Sequence, residues 1–121
     1  MVNHHIRTAE QCAQEQLDAY NDRDIERFAS VYAFDVQLID LASGNTFCNS
    51  KEALIERYGP MFDSHPDLHC KLLNRLVCSP FVIDEEDVSG IHAGMSLHAI
   101  ATYECHNGFI QRAWFVREEP S

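Results

Sequence analysis

Asp40 is the carboxylate of greatest chemical interest in this sequence. It ends the strand-like part of the stretch VQLIDLASGN, residues 36–45. Strand side chains alternate between faces, so Asp40 shares a face with Val36 and Leu38. An acid on an apolar face has two readings. It can be a turn residue whose oxygens accept hydrogen bonds from backbone N–H groups in the following ASGN. It can instead project into an apolar cavity, where burial disfavours the charged form and raises the proton affinity. A carboxylate of that kind suits general acid–base chemistry, worth about 10²–10⁴ in rate.

Other polar groups could complete such a site. Tyr20, Tyr32, Tyr58 and Tyr103 each carry a hydroxyl. Tyr103 shares a strand face with Ala99, Ala101 and Cys105, small residues that would leave room for a ligand. Trp114 falls on a face with Ile110, Arg112 and Val116, and the Arg112/Trp114 pair could line a cavity mouth. Core packing is the competing reading for each aromatic residue. The seven histidines do not form a metal-binding pattern. His65 and His69 have ligand-like spacing but flank Pro66, His92 sits beside glycine, and His4-His5 lie at the very start. No metal site and no cofactor are expected. The acidic run Asp84–Asp87 lacks calcium-loop spacing and reads as a solvated hairpin tip.

Composition narrows the field. A chain of 121 residues with 45% hydrophobic content reads as one globular domain, 1–121. It is able to bury roughly two thirds of its unfolded surface. Nine basic against nineteen acidic residues give a net charge of −10, which argues against nucleic acid and against anionic membranes. No apolar run reaches the ~20 residues of a membrane span. The opening MVNHHIRTAEQ has no signal-peptide core, so a cytoplasmic location is expected. The five cysteines are widely spaced without a C-x-x-C pair and read as free thiols.

The elements that must position these groups can be read in order. Thr8 and Gln11 form a possible capping box for a first helix, with Ala9, Ala13, Gln16/Leu17 and Tyr20 at helical spacing. Asp24 caps a short second helix with Ile25, Phe28, Ala29 and Tyr32 on one face. The strand ending at Asp40, the ASGN turn and the short strand TFC follow. Ser50 caps a third helix with Ala53, Leu54, Tyr58 and Phe62 as its stripe, and Gly59-Pro60 should end or kink it. The second half reads as strands. HCKLLNRLVCS would place Cys70, Leu72, Asn74, Leu76 and Cys78 on one face. PFVID, MSLHAIATYECH and FIQRAWFVRE follow, the last two joined by the hairpin signal Asn107-Gly108. The order predicts an α+β fold with helices on one face of a curved, mainly antiparallel sheet.

AYNDRDIERFASVYAFDVQLID, SKEALIERY and YECHNGFIQRAWFVRE together resemble the nuclear transport factor 2-like superfamily, in its SnoaL-like and ketosteroid-isomerase-like branch. The resemblance runs from about Thr8 to Arg117. It implies a conical barrel, a cystatin-like roll in which three helices pack over an apolar cavity, and a homodimer formed through the outer sheet face. It places Asp40 where ketosteroid isomerases carry a general-base aspartate; Gln16, Tyr20, Tyr58, Tyr103 and Trp114 are the candidate ligand-binding residues beside it. It also exposes a mismatch. The oxyanion-hole tyrosine of those isomerases falls on Gln16, and their second acid falls on Ala101 or Thr102. Stabilising the oxyanion contributes most of the rate enhancement in that chemistry, so ketosteroid isomerisation itself is not expected. Two readings remain: an isomerase, cyclase or dehydratase of a small apolar molecule using Asp40 as general acid/base, or a non-catalytic ligand-binding or dimerisation module of the same fold.

Overall fold

A computed structural model describes residues 6–118; His4 and His5 lie outside them. Three helices precede or interrupt the sheet: α1 (Ala9–Asn21), α2 (Ile25–Ala29) and α3 (Lys51–Ser64). Their starts are capped as the residue types require. Thr8 accepts from the Gln11 N–H while the Gln11 side chain accepts from the Thr8 N–H. Asp24 accepts from the Arg27 N–H and Ser50 from the Ala53 N–H. Each cap satisfies an N–H that the first helical turn cannot.

Six strands form one open, curved sheet rather than a closed barrel. They are β1 (Tyr32–Asp40), β2 (Thr46–Cys48), β3 (His69–Cys78), β4 (Phe81–Ser89), β5 (Ser96–His106) and β6 (Phe109–Arg117). The order is β2-β1-β6-β5-β4-β3, with β1 parallel to β6 and every other pair antiparallel. The β5–β6 hairpin turns through Asn107 and Gly108, both at positive φ (55° and 83°), the backbone that an Asn-Gly pair adopts at low cost. Between helices and sheet lies an aromatic core. Phe28 packs on Tyr32 and Tyr58, each with ring centroids 5.0 Å away, and on Phe62 at 5.4 Å.

Four local expectations need correction. Tyr32 opens β1 rather than extending α2. Of the two effects expected at Gly59-Pro60, an end or a kink, the end is not found: α3 continues to Ser64. Proline forfeits one backbone bond, but the last turn is held by Phe62, 3% exposed, whose ring meets Tyr20 edge-on at 5.4 Å. The strand β3 does not alternate uninterrupted. Leu72 pairs with Glu86 but Asn74 with Glu85, so Leu73 is an extra residue. A one-residue slip exchanges faces: Cys70 is buried, Arg75 turns inward, and Leu76 and Cys78 are exposed on the outside. Lastly, the acidic run is no hairpin tip. It lies within β4, and the β4–β5 connection comes only after Ser89.

Candidate active site in the cavity between helices and sheet

The inner sheet face is a grid set by strand register. One row runs Leu72, Glu86, Ala99, Arg117; the next runs Arg75, Asp84, Ala101, Phe115, Asp40; a third runs Val82, Tyr103, Ala113, Leu38. Ala99 contributes only a methyl group and so leaves room between sheet and helices, while Ala101 beside it is buried in the core. The result is a cavity of about 420 Å³, within the usual range for small-molecule sites. Tyr20, Phe28 and Tyr58 form its helical wall, and Tyr103 and Phe115 belong to its floor.

Glu86 is the principal polar group inside. It is 7% exposed and makes no ion pair among the described residues; its near neighbour is the Cys70 thiol, which is within hydrogen-bonding reach. Burial, reinforced by the charge of Asp84, pushes its carboxyl up to about 7. At neutral pH it therefore populates both protonation states and can either take or give a proton. Burial also raises the hydroxyls of Tyr20 and Tyr103 above their ordinary range and pushes Tyr58 up to about 12. All three remain neutral hydrogen-bond donors, and those of Tyr20 and Tyr103 have no protein partner among the described residues.

Asp84, two residues earlier on the same face, is fully buried but committed. Arg75 donates to both of its oxygens, Nε to Oδ1 at 2.7 Å and Nη2 to Oδ2 at 2.9 Å, and a third Arg75 nitrogen donates to Gln14 at 2.9 Å. The β3 bulge is what turns Arg75 inward to make this fork.

The residues singled out from the sequence are placed as follows. Gln16, Tyr20, Tyr58, Tyr103 and Asp40 line the cavity; Trp114 does not. A bulge between the Glu104–Arg112 and Cys105–Ile110 pairs separates buried Ile110 from Arg112 and Trp114. Trp114 therefore lies on the outer face, against Phe81 at 6.4 Å and under the Arg112 guanidinium at 5.9 Å. Arg112 itself is paired with Glu104 at 2.8 Å. Gln16 is buried, but its amide donates to the Ala13 carbonyl at 3.0 Å and accepts from Tyr32 at 3.3 Å.

Asp40 sits on the inner face, as alternation requires, but only at the rim. Its Oδ2 accepts from the Ser43 hydroxyl at 2.6 Å and the Ser43 N–H at 3.2 Å. These bonds, the side-chain one first, hold its carboxyl below the usual aspartate range. Both readings of Asp40 thus contain part of the answer: it borders the cavity, and it is a turn residue.

Sequence reasoning missed Glu86, Arg57 and Arg117 as cavity residues. For Glu86 a signal existed. Val82, Asp84, Glu86 and Val88 alternate at strand spacing, and two acids flanked by valines on one face of a strand must be either paired or put to use.

The chain belongs to the SnoaL-like domain family, whose sequence profile matches residues 13–113. Its fold is that of several solved structures. A cystatin-fold protein from Novosphingobium aromaticivorans superposes with a TM-score of 0.83 at 19% identity, covering 92% of this chain and 99% of the other. A proposed ketosteroid isomerase from Kribbella flavida gives 0.76 at 18% identity, covering 93% and 79%. A proposed SnoaL-like polyketide cyclase from Shewanella denitrificans gives 0.76 at 10% identity, covering 91% and 90%. A search of curated protein sequences finds no match. At these identities the likeness establishes the fold, and the site must carry the function.

Proposed function

We propose that the cavity binds a small apolar carbonyl compound and that Glu86, rather than Asp40, moves its proton. The carrying observation is a buried carboxyl without an ion-pair partner, raised to about 7, inside a tyrosine-lined cavity. In this reading the ionised Glu86 removes a proton from the carbon next to the carbonyl. The tyrosine hydroxyls donate to the oxygen that gains charge, and the protonated Glu86 returns the proton to the same or another carbon. Isomerisation, aldol-type cyclisation and dehydration all begin with this step. Gln16 is a poor oxyanion donor because its amide is engaged by Ala13 and Tyr32.

The test is exchange of the α-protons of 2-tetralone in D₂O, followed by NMR. The native protein should accelerate exchange, Glu86→Gln should lose about 10²–10⁴ of that acceleration, and Asp40→Asn should stay close to the native rate. Loss of exchange in Asp40→Asn with Glu86→Gln unaffected would return the role to Asp40. Tetralone binding without exchange would leave the non-catalytic ligand-binding module, a reading favoured by the absence of a fixed partner opposite Glu86 among the described residues.

We also propose a homodimer formed through the outer sheet face. Leu76, Ile83, Thr102, Trp114 and Ile39 lie in one cross-strand row, with Leu76 60% and Ile83 39% exposed. An apolar stripe of this kind marks an interaction surface. Ile83→Glu should convert the dimer to monomer in sedimentation velocity. The buried free thiols Cys12, Cys48, Cys70 and Cys105 support placing the protein in a reducing, cytoplasmic compartment. Among the described residues, no helix is long and apolar enough to cross a membrane.

A further inference from the structure

The seven arginines of this acidic chain divide sharply by what they touch. Arg27, Arg75 and Arg112 are paired with carboxylates. Arg7 donates to the carbonyls of Gly108 and Ser30, and Arg23 to those of Asn21 and Leu68. Arg57 and Arg117 remain. Neither has a carboxylate or backbone carbonyl partner among the described residues, and both line the cavity.

Their placement is specific. The Arg57 guanidinium lies 4.5 Å from the centre of the Phe47 ring, which itself borders the cavity, and it neighbours the Tyr58 hydroxyl. Arg117 ends β6 in the same register row as Glu86, with only Ala99 between them. Two strand spacings separate their backbones by about 10 Å. They form no ion pair across that gap, so a bound molecule can lie over Ala99 with one end at each residue. Both arginines are exposed and Glu86 is buried, so both cations lie toward the mouth, whose rim also carries the Ser43-bonded Asp40, and Glu86 lies in the depth.

The net charge of −10 does not rule out an anion here. At physiological ionic strength charges are screened over about 8 Å, so two guanidinium groups lining the same cavity count for more there than distant surface acids. Two cations facing a cavity that also contains Glu86 and Asp40 suit a single negative charge better than a phosphate dianion. A guanidinium fork matches the two oxygens of a carboxylate.

We propose, resting on the small-molecule reading above, that the ligand is a monocarboxylic acid with an apolar ring body. Its carboxylate is held at the mouth by Arg57 and Arg117, its rings lie over Ala99, and its far end carries the oxygen function that meets Glu86 and the tyrosines.

Three probes on one ring system test this by fluorescence or calorimetric titration: 6-hydroxy-2-naphthoate, the corresponding carboxamide and 2-naphthyl phosphate. The carboxylate should bind about tenfold more tightly than the carboxamide, as charge-assisted bonds exceed neutral ones. That advantage should shrink as NaCl is raised. It should vanish in the Arg57→Gln/Arg117→Gln double variant, with carboxamide affinity changing little. Equal affinity for carboxylate and carboxamide, tighter binding of the phosphate, or a preference that survives the double substitution overturns the proposal. In each of those cases carboxamide binding still leaves the small-molecule reading standing; failure of all three probes to bind removes both. The salt dependence is measured on the native protein, so the proposal remains falsifiable should the double variant fail to fold.

Discussion

Three carboxylates on the inner sheet face, Asp40, Asp84 and Glu86, have different fates. At the rim, Asp40 is tied to Ser43 and its proton affinity is lowered. In the floor, Asp84 is fully buried and neutralised by the Arg75 fork. One step further along the same strand face, Glu86 is buried with no cation paired to it among the described residues, and its proton affinity is raised. Position on an apolar face therefore does not set a carboxyl's proton affinity. Burial without a bonded counter-charge raises it, because desolvation then goes uncompensated and brings the carboxyl into the neutral range.

The largest effect is expected from making Asp84 resemble Glu86. Arg75→Ala would leave a fully buried carboxylate unpaired and should cost about 3–5 kcal/mol in urea unfolding at pH 7. A cost below about 1 kcal/mol at pH 7 would mean that the pair is not the structural element described.

A smaller effect comes from removing the charge at Glu86. Its folded carboxyl titrates near 7, against an ordinary glutamate value of 4.5. The folded state therefore holds a proton that the unfolded state has released between those values, and the contribution of Glu86 to stability falls as pH rises from about 4.5 to 7. The full shift corresponds to about 3 kcal/mol. Glu86→Gln should be nearly neutral at pH 4.5, stabilising by about 2–3 kcal/mol at pH 8, and should flatten this part of the stability profile. A profile for the Gln variant parallel to the native one would assign the pH dependence elsewhere.

The smallest effect separates Asp40 from Glu86 without perturbing the fold. Carboxyl ¹³C titration should place Glu86 near 7 and Asp40 below the usual aspartate range. Ser43→Ala should move Asp40 back upward, because the Ser43 hydroxyl is the leading cause of its depression, while leaving Glu86 where it is.

Much of the fold was legible because it depends on local chemistry. The caps at Thr8, Asp24 and Ser50, the Asn107-Gly108 hairpin, and the inward face of Tyr103 with Ala99 and Ala101 all follow from residue type and short-range periodicity. The order of elements also supported the family resemblance. Asp40 was correctly placed on the inner face by alternation, but its hydrogen bonds to Ser43 depend on how the turn closes.

Register slips carry the rest, and alternation cannot follow a chain across them. The extra residue at Leu73 turns Arg75 inward and Leu76 outward, and the bulge before Arg112 sends Trp114 to the outer face. Both irregularities depend on the partner strand, which a single strand's pattern does not contain. They also decide which acid is paired. The residue pattern of β4 is enough to put two acids between valines on one face. Only the fold, by delivering Arg75 to Asp84 and, among the described residues, no cation to Glu86, ties one acid into an ion pair and leaves the other with a raised proton affinity.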